Sequence, residues 1–254
     1  MLKLKFRKTI RRIFFPERCS NCGELIPITQ ERCSCGFSHV FRISESFCDH
    51  CGCEEISCSC LFASSAFLSH ITAPFLYSGD IKDKLHAFKF DAKLDEAVFF
   101  AREMSQRFES VYPGVKIDYV CSVPMTEEEF NNRGFNQSRL LSENVSKILM
   151  LKEAELLLKI RDTSRQHTLK QKERTVNLKE AFVANKKYDI NGKNIILCDD
   201  IKTTGSTLKE CSDVLFAAGA NDVYCLCAAA ADYFVPIEEK IRTARKMKDK
   251  KRSV

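Results

Sequence analysis

Apolar residues recur along this chain with two periods, and each change of period marks an element. Leu2, Phe6, Ile10, Ile13 and Phe14 fall at helical spacing with Lys and Arg between them, which predicts a short basic amphipathic helix. Phe62 to Tyr77 alternates loosely and predicts one or two strands leading into the main body. Ile81, Leu85 and Phe88, then Leu94, Val98 and Met104, return to helical spacing, giving two helices broken near Asp91. Ile117 to Val123 is β-rich and stops at Pro124, which lacks a ladder donor. A helix over Ser138 to Leu149 and a strand over Leu156 to Ile160 follow. Arg161 to Gln171 has no apolar period, and a long polar loop inside a compact domain is usually functional or disordered. Lys172 to Glu180 reads as helix and Ala181 to Ala184 as extended chain. Ile195 to Cys198 is a strand that opens through a short turn into a helix ended by Gly219. Val223 to Ala229 is a strand apolar on both faces, and the tail from Lys240 begins as helix.

Strands alternating with helices, the last ones apolar throughout, predict an α/β fold with a parallel sheet. Within it the stretch Asn194 to Ala218, NIILCDDIKTTGSTLKECSDVLFAA, carries the densest chemistry. Ligands of open α/β sheets lie at the carboxyl ends of the strands, and that end is expected to present Asp199 and Asp200. The loop Thr203, Thr204, Gly205, Ser206 and Thr207 then supplies hydroxyls and free backbone N–H groups at a helix start, where anions bind. Lys202 adds a cation beside them. An N-cap alone needs one Ser or Thr, so capping does not account for the whole run. The expected ligand has a phosphate in the loop and a diol on the carboxylates. Upstream, Arg133 and Gly134 precede a helix N-terminus, an arrangement suited to a polyanion as well as to pairing with Glu127 to Glu129.

Composition changes the picture at the front end. The chain has 254 residues and 14 cysteines. Met1 to Phe15 has no sustained apolar core of a secretory signal, and no apolar run approaches the ~20 residues of a membrane span. A cytoplasmic protein is expected, in which clustered cysteines mean metal rather than disulfides. CSNCG (Cys19, Cys22) is followed by CSC (Cys33, Cys35), and CDHCG (Cys48, Cys51) by CSC (Cys58, Cys60). Two such pairs make a tetrahedral sulfur site for structural Zn²⁺, with one or two ions expected. Cys53 is left over, and His39 or His50 is an alternative ligand. Charge is uneven: residues 1–18 carry +6 and residues 240–254 carry +7, which leaves −7 for the body between them in a chain of net +6. Basic ends read as solvated tails or as arms for nucleic acid, while the acidic body argues against non-specific DNA binding by the domain itself.

DDIKTTGST resembles the phosphoribosyl pyrophosphate signature of type I phosphoribosyltransferases. SVPMTEEEFNNRGFNQS at Ser122 to Ser138, RDTSRQHTLKQKERTVNLKEAF at Arg161 to Phe182 and the cysteine-rich front end are similar to the ComF family of competence-associated phosphoribosyltransferase-like proteins. The resemblance runs from about Cys19 to Ala230. It implies a double zinc ribbon (19–62) and a phosphoribosyltransferase-like domain (63–236), and the charge pattern adds a basic amphipathic lead segment (1–18) and a basic tail (237–254) outside it. Family return halves are usually Cys-x-x-Cys, whereas both here are Cys-x-Cys. The resemblance assigns the ribose hydroxyls to Asp199 and Asp200, the 5′-phosphate to Thr203 through Thr207, and pyrophosphate with Mg²⁺ to the loop after the Pro124 strand and to Arg133. It makes the segment around Arg165 a loop closing over the ligand, and the FKF stretch puts Lys89 at the pocket. The implied function is phosphoribosyl transfer to an unidentified acceptor in DNA uptake. The alternative is a non-catalytic adaptor for single-stranded DNA or DNA-uptake proteins that only senses the ligand.

Overall fold

The structure is a computed structural model that describes residues 25, 42–43, 46–50, 52, 58, 69–90, 95–160 and 181–231. The chain divides into two compact units, Met1–Val40 and Phe41–Val254. Only Leu25 of the first is described, so the expected N-terminal helix lies outside the described residues, as do the helix over 172–180 and the basic tail.

The second unit is built on a parallel sheet. In chain order its strands and helices are β1 (His70–Thr72), β2 (Phe75–Leu76), α1 (Gly79–Phe90), α2 (Asp95–Val111), β3 (Tyr119–Ser122), α3 (Glu127–Arg133), α4 (Gln137–Leu149), β4 (Leu157–Lys159), β5 (Phe182–Ala184), β6 (Asn194–Lys202), α5 (Ser206–Ala217) and β7 (Asp222–Ala230). The sheet runs β1–β7–β6–β3, and β2 continues the β1 edge by pairing further along β7. Every pairing in it is parallel. The 62–77 stretch is therefore more than a lead-in, since two short strands from it complete the sheet edge. Beyond β3, Val120 takes one further parallel bridge from Glu153.

Alternation along the central strands sends side chains to two covered faces. Ile195, Leu197, Val223, Cys225 and Cys227 pack with Leu208, Cys211 and Leu215 of α5 and with Leu157 and Phe182 of the antiparallel β4–β5 pair. The opposite face is aromatic: Phe75 meets Phe99 and Phe100, and Phe108 sits edge-on to Tyr224. A parallel sheet covered on both sides has apolar strands throughout, which is the pattern of β7. Burying one such Phe or Leu contributes about 1.5–3 kcal/mol.

The end of β6 differs from the expectation, and a short helix, α3, stands where the loop after β3 was expected. β6 does not stop before the acidic pair but runs on through Asp199, Asp200 and Ile201 to Lys202. The cause is β7, which continues to pair with it at Asp199↔Cys227, Ile201↔Ala229 and Lys202↔Ala230. Available partner backbone outweighs the weak strand propensity of Asp.

Candidate functional site

The carboxyl end of the sheet brings together β6, the loop after β3, the start of α4, the end of α1 and the turn into α5. Val123 N–H donates to Cys198 C=O at 3.0 Å, which sets the chain entering Pro124 beside the acidic pair. Asp199 accepts from Ser138 Oγ at 2.8 Å and from the Asp200 backbone N–H at 2.9 Å. Asp200 is buried and pairs with Lys89 Nζ at 2.8 Å. Burial raises the Asp199 carboxyl, the neighbouring Asp200 charge raises it further, and the Ser138 bond and Lys89 oppose them; the result is about 7. Asp199 therefore changes protonation near neutrality.

Sequence position 133–138, RGFNQS, holds this geometry from outside. Thr126 and Glu129 close a capping box on α3, and Gly134 ends that helix at φ 78°, a left-handed conformation that favours glycine. Asn136 caps α4 through Arg139 N–H and donates from Nδ2 to Val123 C=O at 3.2 Å, so one side chain joins the helix start to the β3 end. Gln137 is buried and donates from Nε2 to the Lys89 C=O at 3.4 Å. Phe135 packs against Phe88 of α1, with ring centroids 6.2 Å apart. Arg133 is exposed and donates to Gln137 Oε1 at 3.5 Å, while Glu129 holds Lys159 at 2.7 Å. Sequence reasoning singled out Arg133 but passed over Asn136, Gln137 and Ser138. The signal for Gln137 and Ser138 was polar residues four and three positions before Leu141 on the apolar face of an amphipathic helix, and for Asn136 an N-cap residue type just ahead of it.

The turn into α5 has the expected form. Gly205 stands at the N-cap with φ 79° and no side-chain cap. Lys209 N–H to Gly205 C=O, 2.8 Å, is the first helical bond, so the N–H groups ahead of it have no intrahelical acceptor. Ser206 N–H turns to Thr204 Oγ1 at 3.3 Å, and the Thr204 and Ser206 hydroxyls lie 2.9 Å apart. Thr203 is exposed, Thr204, Ser206 and Thr207 are partly exposed, and Lys202 is buried at the strand end. Pro124 is partly exposed. Arg165 lies outside the described residues.

Of the expected zinc ligands, Cys48 and Cys58 are described, whereas Cys19, Cys22, Cys33, Cys35, Cys51 and Cys60 are not. Among the described residues no three metal-ligating side chains converge. The part of CDHCG that is described is a tight turn, with Gly52 N–H on Cys48 C=O at 2.8 Å and Gly52 at φ 68°. Asp49 in this turn fixes it to the sheet by accepting from Tyr112 Oη and bonding His70 Nδ1, and Ile71 N–H reaches its C=O at 2.7 Å. His70 and Ile71 stand level, across β7, with Ile196 and Leu197, on the amino-terminal side of the acidic pair. Among the described residues no helix is long and apolar enough to cross a membrane.

Residues 136–252 match the family described as "Phosphoribosyl transferase domain". The DNA utilization protein YhgH of Salmonella typhi is 31% identical over 157 residues, covering 59% of this chain and 68% of that protein. The chain belongs to the ComF family. Competence protein F of Haemophilus influenzae is 27% identical over 223 residues, covering 83% of this chain and 95% of its own. Competence protein ComFC of Bacillus subtilis is 30% identical over 155 residues, covering 61% of each chain. In this ComF protein the match takes in β6, α5 and β7 of a parallel sheet with helices on its faces, a type I phosphoribosyltransferase fold.

Proposed function

We propose that this ComF protein binds phosphoribosyl pyrophosphate with Mg²⁺ and transfers the phosphoribosyl group to an acceptor, in a role tied to DNA uptake or use. The observation that carries the reading is the juxtaposition of Asp199 and Asp200 with the Gly205 turn. Carboxylates accept from the ribose 2′ and 3′ hydroxyls, while free N–H groups and hydroxyls between Thr203 and Thr207 receive the 5′-phosphate. Transfer breaks the bond from the anomeric carbon to pyrophosphate, the electron pair leaving with pyrophosphate, as the acceptor's lone pair forms the new bond. Charge grows positive on the ribose ring, and the adjacent carboxylates stabilise it electrostatically. Asp199, titrating at about 7, also holds or takes up a proton at working pH. Oxygen donors of this kind fit Mg²⁺, which supplies charge neutralisation on the leaving pyrophosphate when bound. Zn²⁺ in the cysteine module is structural on this reading, because its donors are thiolates in closed pairs. The tie to DNA rests on the names of the relatives, "DNA utilization protein" and "Competence protein".

Calorimetric titration with phosphoribosyl pyrophosphate and Mg²⁺ tests the site, using wild type and the Asp199→Asn/Asp200→Asn double variant. Binding by wild type and its loss in the variant are expected. Absence of heat from folded, zinc-replete wild type at millimolar ligand would refute the reading. Pyrophosphate release under the same conditions separates an enzyme from a ligand sensor.

A further inference from the structure

Two adjacent carboxylates are a poor welcome for a ligand that is itself a polyanion. Asp199 and Asp200 sit side by side on β6, and a phosphate in the neighbouring turn would feel both. The site contains a remedy that lies far away in sequence. Lys89, in the last turn of α1, reaches Asp200 Oδ2 at 2.8 Å, its side chain 22% exposed against 12% for that of Asp200. A surface lysine making an opportunistic pair would be free to wander, but this one is held by its backbone. Buried Gln137, from the first turn of α4, binds the Lys89 carbonyl, and Phe88 beside it is fully buried and packed on Phe135 and Phe100. The same helical turn that aims Ser138 at Asp199 thus also fixes the residue that aims an ammonium at Asp200.

Resting on the phosphoribosyl pyrophosphate reading, we propose that Lys89 is a positioning residue whose ammonium acts as the built-in counter-ion of Asp200. It cancels one carboxylate charge so that a polyphosphorylated sugar can approach the pair, and it competes with any divalent cation for the same oxygen. The consequence has opposite signs for opposite charges. Removing the ammonium makes the site more attractive to a metal cation and more repellent to the sugar phosphate. Near a protein surface, one unit charge a few ångströms away is enough to change either affinity by about tenfold or more. Damage to packing has no such signature, because it weakens both ligands together.

The test compares Lys89→Met and Lys89→Arg with the wild-type full chain in two calorimetric titrations. The first uses Mn²⁺ alone, and the second uses phosphoribosyl pyrophosphate at saturating Mg²⁺. Lys89→Met is expected to bind Mn²⁺ about tenfold more tightly and the sugar phosphate about tenfold more weakly, with Lys89→Arg close to wild type in both. Parallel weakening of both ligands in Lys89→Met, or no change in Mn²⁺ binding, overturns the proposal. If wild type ignores the sugar phosphate, the functional reading falls, and the Mn²⁺ titration still decides the role of Lys89.

Discussion

Asp199→Asn should stabilise the folded protein in a pH-dependent way, and the amount follows from the site. An Asp carboxyl in an unfolded chain titrates at 3.8, whereas Asp199 in the fold is raised to about 7 by burial and by Asp200. Below 3.8 both states hold the proton. Between those values only the folded state holds it, so stability falls as pH rises, and above 7 the loss is complete. Each pH unit inside that window removes about 1.4 kcal/mol, so wild type loses about 2–3 kcal/mol between pH 5 and pH 7 from this source. Asparagine keeps an oxygen for Ser138 and Asp200 N–H but has no charge to desolvate. Urea denaturation of both proteins at pH 5, 6, 7 and 8, with zinc saturating, reads the difference; titrating groups away from the site are shared and cancel, which leaves Asp199 and its coupled neighbour Asp200. The advantage of the variant should grow by about 2–3 kcal/mol across the series. The proton belongs to the coupled carboxylates jointly, so its release spreads over more than one pH unit. Parallel pH curves for the two proteins would refute the assignment of a perturbed carboxyl to this position.

Other substitutions probe the supports. Gly205→Ala places a side chain at φ 79° and should cost about 1–2 kcal/mol while weakening sugar phosphate binding; thermal melts and calorimetry check both. Ser138→Ala removes a bond that favours the ionised Asp199, so the carboxyl should titrate higher still, seen as an upward displacement of the pH-dependent step in stability. Gly219→Ala combines φ 99° with a Cβ only 2.7 Å from Asn191 Oδ1, and it should destabilise by about 2 kcal/mol or more. Gly192→Ala, at φ 67° with no atom within 4 Å of the added Cβ, is its control and should cost less in the same denaturation series.

The features written in local chemistry were legible in the sequence. Asp199, Asp200 and the Thr-Gly-Ser turn stood out because the strand, the turn and the helix start are contiguous, and β7 because a strand buried on both faces is apolar throughout. What escaped was set by partners distant in the chain. β6 runs past the acidic pair only because β7 stays beside it, which no window around Asp199 contains. The strands at His70 and Phe75 looked like a lead-in because short edge segments carry little periodicity of their own. Ser138 and Gln137 acquire their roles through contacts 61 and 48 residues away in sequence, so their residue types alone say little, whereas Lys89 was placed at the pocket by the resemblance although its partner Asp200 is 111 residues away.

Cysteines of two kinds coexist in this chain. Cys121, Cys198, Cys211, Cys225 and Cys227 are sealed inside the sheet and its α5 face, and burial raises the pKa of each thiol. Reagents that attack thiolates have no access to them until the domain unfolds. The other nine of the 14 lie between Cys19 and Cys60, so any sulfur modified quickly in the native protein reports on the front end alone. On the zinc reading proposed above, labelling stoichiometry before and after chelation is a direct gauge of metal occupancy, with the sheet itself serving as a silent background.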